Sequence, residues 1–280
     1  MIIDHDFHLH TNLSLCASRD ATFDFFLKKA ESEGLKRIAI TDHLWDHAVD
    51  GWQGKGGDFY ESQNFEHILK LRAEIDAHNA RGIGPRVLFG AEAEYSYENR
   101  RPAITPAVAE QLEVLLVPNS HTHITMPKSF YEPYEKHIEY MTDAFMDIVN
   151  SDVAKFVTAI PHPFMAVCCP YDNKMLMEKI SDDIFKRCFT AAAEKGIALE
   201  LNPNYLKKRE FEGYTRNGSL SAIYLDPSIR MLRIGKECGC KFTVGTDCHG
   251  KGGEIDYTYI YLLAAVLDLT EDDFHPLTRS

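Results

Sequence analysis

The sequence predicts an α/β fold, a closed or nearly closed parallel (β/α) barrel. Three observations carry that expectation. Short strand-like runs alternate with amphipathic helical stretches, the pattern of a parallel sheet with right-handed crossovers. About seven such units fit into 280 residues without a linker or internal repeat, an ordinary length for one barrel. Six of the seven runs deliver His, Asp or Glu at their C-terminal ends, where a barrel places its chemistry. A doubly wound open sheet is the alternative. No GxGxxG follows the first strand and no GxxxxGK[ST] occurs, so a nucleotide cradle lacks support.

The strand runs are Ile2–His8, Arg37–Thr41, Arg86–Ala93, Val114–Val117, Phe156–Ile160, Ile197–Asn202 and Lys241–Thr246. Thr22–Glu33 reads as a helix: Thr22 is its N-cap, Phe25, Phe26, Ala30 and Leu35 form its apolar stripe, and Gly34 is its C-cap. Glu66–Ala80, with Ile68, Leu69, Leu71 and Ile75, ends before Gly82. Ser181 caps a helix that runs to Lys195 and stops at Gly196. Asp226 or Ser228 opens another that ends near Gly239, and Tyr257–Leu267 is the last. Residues 42–62 and 203–227 are long connections that follow strand ends, on the functional side of a barrel or as plain surface loops.

Composition narrows the function classes. A formal net charge of -12 and a pI near 5.5 repel a phosphate backbone, which argues against nucleic acid as the main partner. The seven Cys include no CxxC pair, so neither a zinc quartet nor a disulfide framework is indicated. The N-terminus shows no basic and apolar leader, and no apolar run reaches a membrane-spanning length. The expectation is one domain, residues 1–280, in a reduced cytoplasmic setting; the oligomeric state is left open.

Thirteen His are the compositional anomaly. Asp6, His8 and His10 alternate, and in a regular strand they share one face, where two imidazoles can grip an ion and a carboxylate can orient a ring. Later runs end in Thr41-Asp42-His43, Glu92-Ala93-Glu94, Ser120-His121-Thr122-His123, Pro161-His162-Pro163 and Thr246-Asp247-Cys248-His249. These are N and O donors without a cysteine quartet, which suits a catalytic Zn, Mn or Fe site with open positions. A bridging carboxylate such as Glu92 lets two ions sit close together, an arrangement used for phosphate ester hydrolysis. Glu94, on the same face, is placed to hydrogen-bond a ligand or to face solvent.

In order, the motifs DFHLH, TDH, GAEAEY, NSH, PHP and GTDCH resemble the signature of the PHP (polymerase and histidinol phosphatase) family, across residues 4–249. The resemblance implies a distorted (β/α)7 barrel, two or three divalent ions and phosphoesterase activity. It implies one ion on His8, His10, Glu92 and Asp247, a second on Glu92, His121 and His162, and a third on His43 and His249. His123 competes with His121, and strand counting favours His121. The family places a further ligand after HxH, commonly His, Asp or Glu; here that position is Cys16 or close to it. Cys16 reads either as a thiolate ligand or as an ordinary buried cysteine.

A small phosphorylated substrate needs a cation for its phosphoryl oxygens. Lys207 stands near the place of a basic residue in histidinol-phosphatase-like members, and Arg19 follows the first strand. Trp45 and Trp52 either wall the pocket or pack in the core. The expected mechanism is attack by a metal-activated hydroxide, with His43, Asp247 or His249 returning a proton to the leaving alkoxide. Competing readings are an amidohydrolase-like C–N or carboxylic-ester hydrolase, a metal- or ligand-binding barrel without turnover, and a nuclease, the last weakened by the acidic charge.

Overall fold

The computed structural model describes residues 3–167, 169–206, 223–250 and 257–279. Its strands are β1 (His5–Leu9), β2 (Arg37–Ile40), β3 (His43–Leu44), β4 (Arg86–Ala93), β5 (Tyr95–Ser96), β6 (Arg101–Pro102), β7 (Val114–Leu116), β8 (Ala159–Ile160), β9 (Ala198–Leu201) and β10 (Phe242–Val244). Seven of them pair in parallel in the order β1-β2-β4-β7-β8-β9-β10, and β3 adds to the far end of β4. The ring is closed by an isolated parallel bridge between Leu9 and Cys248. There His10 N–H donates to the Cys248 carbonyl at 3.0 Å and Asp247 N–H to the His8 carbonyl at 2.9 Å. The seam of this nearly closed barrel therefore runs through the residues that carry the first donors.

Each expected strand forms, several of them shorter at their ends. The fifth shrinks most for its length, because Ala154–Phe156 turns as a 3-10 helix before β8 starts at Ala159. The capping chemistry read from sequence holds at three helices. Thr22, Ser181 and Asp226 accept backbone N–H groups at the starts of Phe23–Ser32, Asp182–Lys195 and Pro227–Glu237. The last helix is Thr258–Val266.

One helix expectation is corrected and one helix is unanticipated. The stretch Glu66–Ala80 is not one helix: Phe65–Ile68 and Arg72–Arg81 are separated by a 3-10 turn, Leu69–Leu71. That turn rotates the stripe so that Leu71 is buried while Leu69 is 37% exposed. The longest helix among the described residues, Tyr134–Val149, has no counterpart in the sequence reading. Its N-cap is Pro133, which offers no side-chain acceptor, so the usual start signal is missing. Among the described residues no helix is long and apolar enough to cross a membrane.

The barrel interior has a floor and a polar layer above it. Phe7, Ala39, Leu88, Val114, Leu116, Ala159 and Ala198 form a separate buried apolar cluster drawn from six successive strands. Leu88, Gly90 and Glu92 alternate up β4, so the same inward face that supplies the floor ends in a carboxylate. On β1 the alternation breaks. Its pairing with β2 shifts register between Asp6 and Leu9. Phe7 lies in the floor, its neighbour His8 in the polar layer, and Leu9 in the outer core. This corrects the expectation that Asp6 shares a face with His8 and His10. Asp6 turns toward the last helix and accepts from Tyr257 Oη at 2.8 Å and Thr246 Oγ1 at 2.6 Å.

Candidate metal centre

The polar layer gathers side chains from the ends of the strands around Glu92. Glu92 Oε1 lies 3.5 Å from His8 Nε2, 3.5 Å from His121 Nε2 and 3.3 Å from His162 Nε2. Its Oε2 lies 3.5 Å from His10 Nε2 and 3.0 Å from His43 Nδ1. Asp247 Oδ1 adds a second carboxylate, 3.4 Å from His8 Nε2, 3.2 Å from His10 Nε2 and 3.6 Å from His249 Nδ1. His8, His10, His162 and Glu92 are buried, while the Asp247 and His249 side chains keep 28% and 31% exposure and mark the mouth.

Second partners fix which nitrogen each ring presents. His8 Nδ1 is 2.6 Å from Glu200 Oε1, and His121 Nδ1 is 2.9 Å from Glu94 Oε2. His162 Nδ1 is 2.7 Å from Ser120 Oγ, and His10 Nδ1 is 3.3 Å from Ser14 Oγ. Ser14 Oγ in turn donates to Asp42 Oδ1 at 2.7 Å, so it receives from the His10 ring. With Nδ1–H tied down, all four rings aim an Nε2 lone pair at the same small volume. His8 Nε2 and His10 Nε2 are only 3.0 Å apart.

Lone pairs converging on carboxylates repel unless positive charge lies between them. Both Glu92 oxygens, His43 Nδ1 and His162 Nε2 are buried without a hydrogen-bond partner. The electrostatics state the same demand. Burial alone would raise the Glu92 carboxyl, yet His121 and His8 hold it well below the usual range. Burial would lower His8, but Glu200, Glu92 and Asp247 drive it well above. His10 is pushed well below its ordinary value by burial and by the His43 and His249 rings. Divalent cations satisfy orphaned acceptors of this kind, and the donor set of imidazole and carboxylate suits Zn, Mn or Fe. Ligand atoms lie within 4.8 Å of one another in the sets His8/His10/Glu92, His8/His162/Asp247, His43/Glu92/His121 and His10/His43/His249.

Backbone strain concentrates here too. Asp247 has φ 56° and His162 φ 29°, a region that side-chain-bearing residues rarely occupy. His162 is held there by Glu200 Oε2, which accepts its N–H at 2.8 Å. Gly245 is required beside this carboxylate, because a Cβ there would collide with Glu200 and with His8 Cβ.

Several roles differ from the sequence reading. The sixth strand, β9, seemed to end without a donor, but it supplies Glu200. Asp42 does not face the rings; it accepts from Thr11 N–H, Thr11 Oγ1 and Ser14 Oγ, each at 2.7 Å, and pins the loop after β1. Glu94 joins His121 to Tyr60, whose hydroxyl donates to it at 2.6 Å. His123 stacks edge-on against the outer side of His121, with centroids 5.6 Å apart. Trp45 is core: it is buried against Tyr60, and its indole N–H donates to the Val49 carbonyl at 2.9 Å. Trp52 stacks on His47 at 4.1 Å instead of on the centre. Arg19 is exposed in the loop after β1, next to Ser18, whose N–H donates to the His249 carbonyl at 2.8 Å. Lys207 lies outside the described residues.

Cys16 is exposed, not buried, in the loop that precedes the His249 contact of Ser18. Desolvation would raise its thiol, but the His249 and His43 rings bring it down to about 6.

A family model of the PHP domain matches residues 6–204. Probable phosphatases of Shewanella frigidimarina and Shewanella loihica are each 26% identical to the chain, over 243 and 244 residues. The alignments cover 86% and 87% of this chain and 79% and 77% of theirs. Among solved structures, histidinol phosphate phosphatase from Lactococcus lactis, in complex with Zn, L-histidinol and phosphate, is similar with a TM-score of 0.65 at 17% identity. The likeness spans 96% of this chain and 94% of that one and concerns the fold. With its motifs, its nearly closed parallel barrel and a family match over most of its length, the chain belongs to the PHP domain family.

Proposed function

We propose that residues 1–280 act as one catalytic domain, a metal-dependent phosphoesterase that hydrolyses a small-molecule phosphate monoester. One observation carries the metal part of this reading. Four rings anchored through Nδ1 turn their Nε2 atoms onto a carboxylate that has no hydrogen bond of its own. The phosphate part rests on the relatives, whose names describe phosphatases.

Glu92 would bridge two ions, with His8, His10 and Asp247 on one side and His121 and His162 on the other. His43, 3.0 Å from Glu92 Oε2, stands between this pair and His249. When bound, the ions supply an activated water and counter-charge for the phosphoryl oxygens. The remaining work belongs to the chain. Glu200, Glu94, Ser120 and Ser14 keep each ring in the tautomer that presents Nε2. The apolar floor excludes water from below and keeps the local dielectric low. Asp247 and His249 face the mouth, where a leaving alkoxide would need its proton, and Arg19, next to the Ser18 that bonds the His249 carbonyl, would be the candidate cation for the phosphoryl group.

The test is phosphate release from p-nitrophenyl phosphate and a panel of small phosphate monoesters, by chelator-stripped protein resupplied with Zn or Mn. Metal-dependent release supports the reading. Turnover of amides or carboxylic esters with no phosphate release would replace it with the amidohydrolase-like alternative, and inertness of the metal-loaded protein to every panel would point to a binding barrel.

A further inference from the structure

Beneath the apolar floor the barrel carries a charged layer. Phe7, Ala39 and Leu88 belong to the floor, and two positions earlier on β1, β2 and β4 stand His5, Arg37 and Arg86. Parallel pairing sets these three in one row, with His5 opposite Arg37 and Arg37 opposite Arg86. The period of two along a strand gives them the same inward face as the floor, at the end opposite the metal centre. They line a cavity of about 570 Å3, within the size range of small-molecule sites. Phe274, edge-on to the His5 ring with centroids 5.6 Å apart, forms an apolar part of its wall.

The charge in this cavity is one-sided. Lys36, Arg37, Arg86 and Arg279 line it against two acids, Asp4 and Glu271, in a chain whose formal net charge is -12. Three of the cations have carboxylate partners: Lys36 pairs with Asp4 at 2.9 Å, Arg86 with Glu113 at 2.9 Å and Arg279 with Asp272 at 2.8 Å. Arg37 is only 9% exposed and has no carboxylate partner among the described residues. Its Nη1 donates to the Leu277 carbonyl at 2.8 Å. Its Nε and Nη2, the edge that takes a carboxylate or phosphate side-on, bond nothing among the described residues. A buried guanidinium beside a second arginine on the neighbouring strand calls for an anion.

We propose that this cavity is a second ligand site, for a small organic anion whose carboxylate or phosphate group docks on the Nε–Nη2 edge of Arg37. Arg86, Lys36 and Arg279 supply positive potential around it. The volume exceeds what a bare oxyanion fills, so the remainder of the ligand lies against Phe274. The floor of Phe7, Leu88 and Leu116 separates this site from the metal centre. The site stands whether or not that centre hydrolyses phosphate esters.

The experiment titrates the full chain, stripped by chelator, with inorganic phosphate and with succinate at constant ionic strength, and reads binding by calorimetry. Stripping removes the ions that would draw an oxyanion to the centre. One saturable site per chain is expected, and the tighter probe identifies the preferred head group. Arg37→Met should weaken binding roughly 10–100-fold, the effect of losing a charge-assisted pair of hydrogen bonds. Arg86→Met changes an exposed residue, should fold as the wild type does, and should weaken binding by a smaller factor. Glu92→Ala should leave the affinity unchanged. Circular dichroism checks each fold, and Arg86→Met decides if Arg37→Met does not fold. No saturable binding of either anion below about 10 mM overturns the proposal. So does binding that both arginine variants leave unchanged, or binding that Glu92→Ala abolishes, which would place the anion at the metal centre. None of these outcomes touches the phosphoesterase reading, which metal-dependent phosphate release tests separately.

Discussion

Glu200 Oε1 stands 2.6 Å from His8 Nδ1 while its Oε2 accepts the His162 N–H at 2.8 Å, so a single carboxylate sets a ring from β1 and a strained backbone after β8. Asn202 Nδ2, donating to Oε2 at 3.1 Å, holds it in place. Glu200→Gln keeps an acceptor for His162 but can turn its amide N–H toward the His8 Nδ1–H. Metal affinity should fall roughly 10–100-fold, the usual effect of losing an outer partner of a ligand. Competition with a chelator measures it; unchanged affinity would make Glu200 a packing residue only.

Glu92→Ala removes the group on which five rings converge. Metal content of the purified protein should drop by at least one ion per chain, and hydrolysis should fall with it. Elemental analysis decides. Full metal content in this variant would show that Glu92 does not bridge.

Gly245→Ala places a methyl group against the Glu200 carboxylate and His8 Cβ. The Glu200 carboxylate is tied by His8, His162 and Asn202, and His8 Cβ sits on the backbone, so the strand must shift. A destabilisation of about 1–3 kcal/mol, the range for overpacked cores, is expected in denaturant unfolding of the metal-free protein. Metal binding should weaken as well, since the same shift moves the His8 ring.

His5 gives the protein an acid sensitivity that does not depend on metal. It lies below the centre, accepts the Val244 N–H at 3.0 Å, and burial lowers its pKa from 6.5 to about 4. Between these values the unfolded chain binds the proton and the native chain resists it. This contribution is therefore fully present above pH 6.5 and is lost as pH falls toward 4, by roughly 3 kcal/mol across the window. His5→Gln retains an acceptor without the titration. Its metal-free stability should fall less steeply over that window; parallel curves for both proteins would remove His5 as the cause.

The barrel and most of the donors could be read from sequence because both follow local rules. Strand runs have period two, caps are single residues such as Thr22, Ser181 and Asp226, and donors follow directly on strand ends. Most of the misses at the site share one cause, since they depend on contacts distant in sequence. Glu200 matters because His8 lies 192 positions away in the chain but 2.6 Å away in space. The shifted register in β1, which separates Asp6 from His8, follows from pairing with β2. Ser14 looks like any loop serine until Asp42 and His10 meet on its hydroxyl. The helix Tyr134–Val149 is different: it lacks a side-chain start signal, but Ile138, Met141, Phe145 and Ile148 form a buried stripe at helical spacing that the sequence does carry.

The apolar floor made by Phe7, Leu88 and Leu116 also governs traffic. These side chains are at most 1% exposed and plug the barrel beneath the ligands, so the centre is a cul-de-sac. Among the described residues, this floor leaves no passage through the barrel bottom for what enters past Asp247 and His249. For a phosphoesterase built this way, inorganic phosphate would hold the doorway after the leaving group has gone. Turnover would then slow as product accumulates, even while substrate remains abundant.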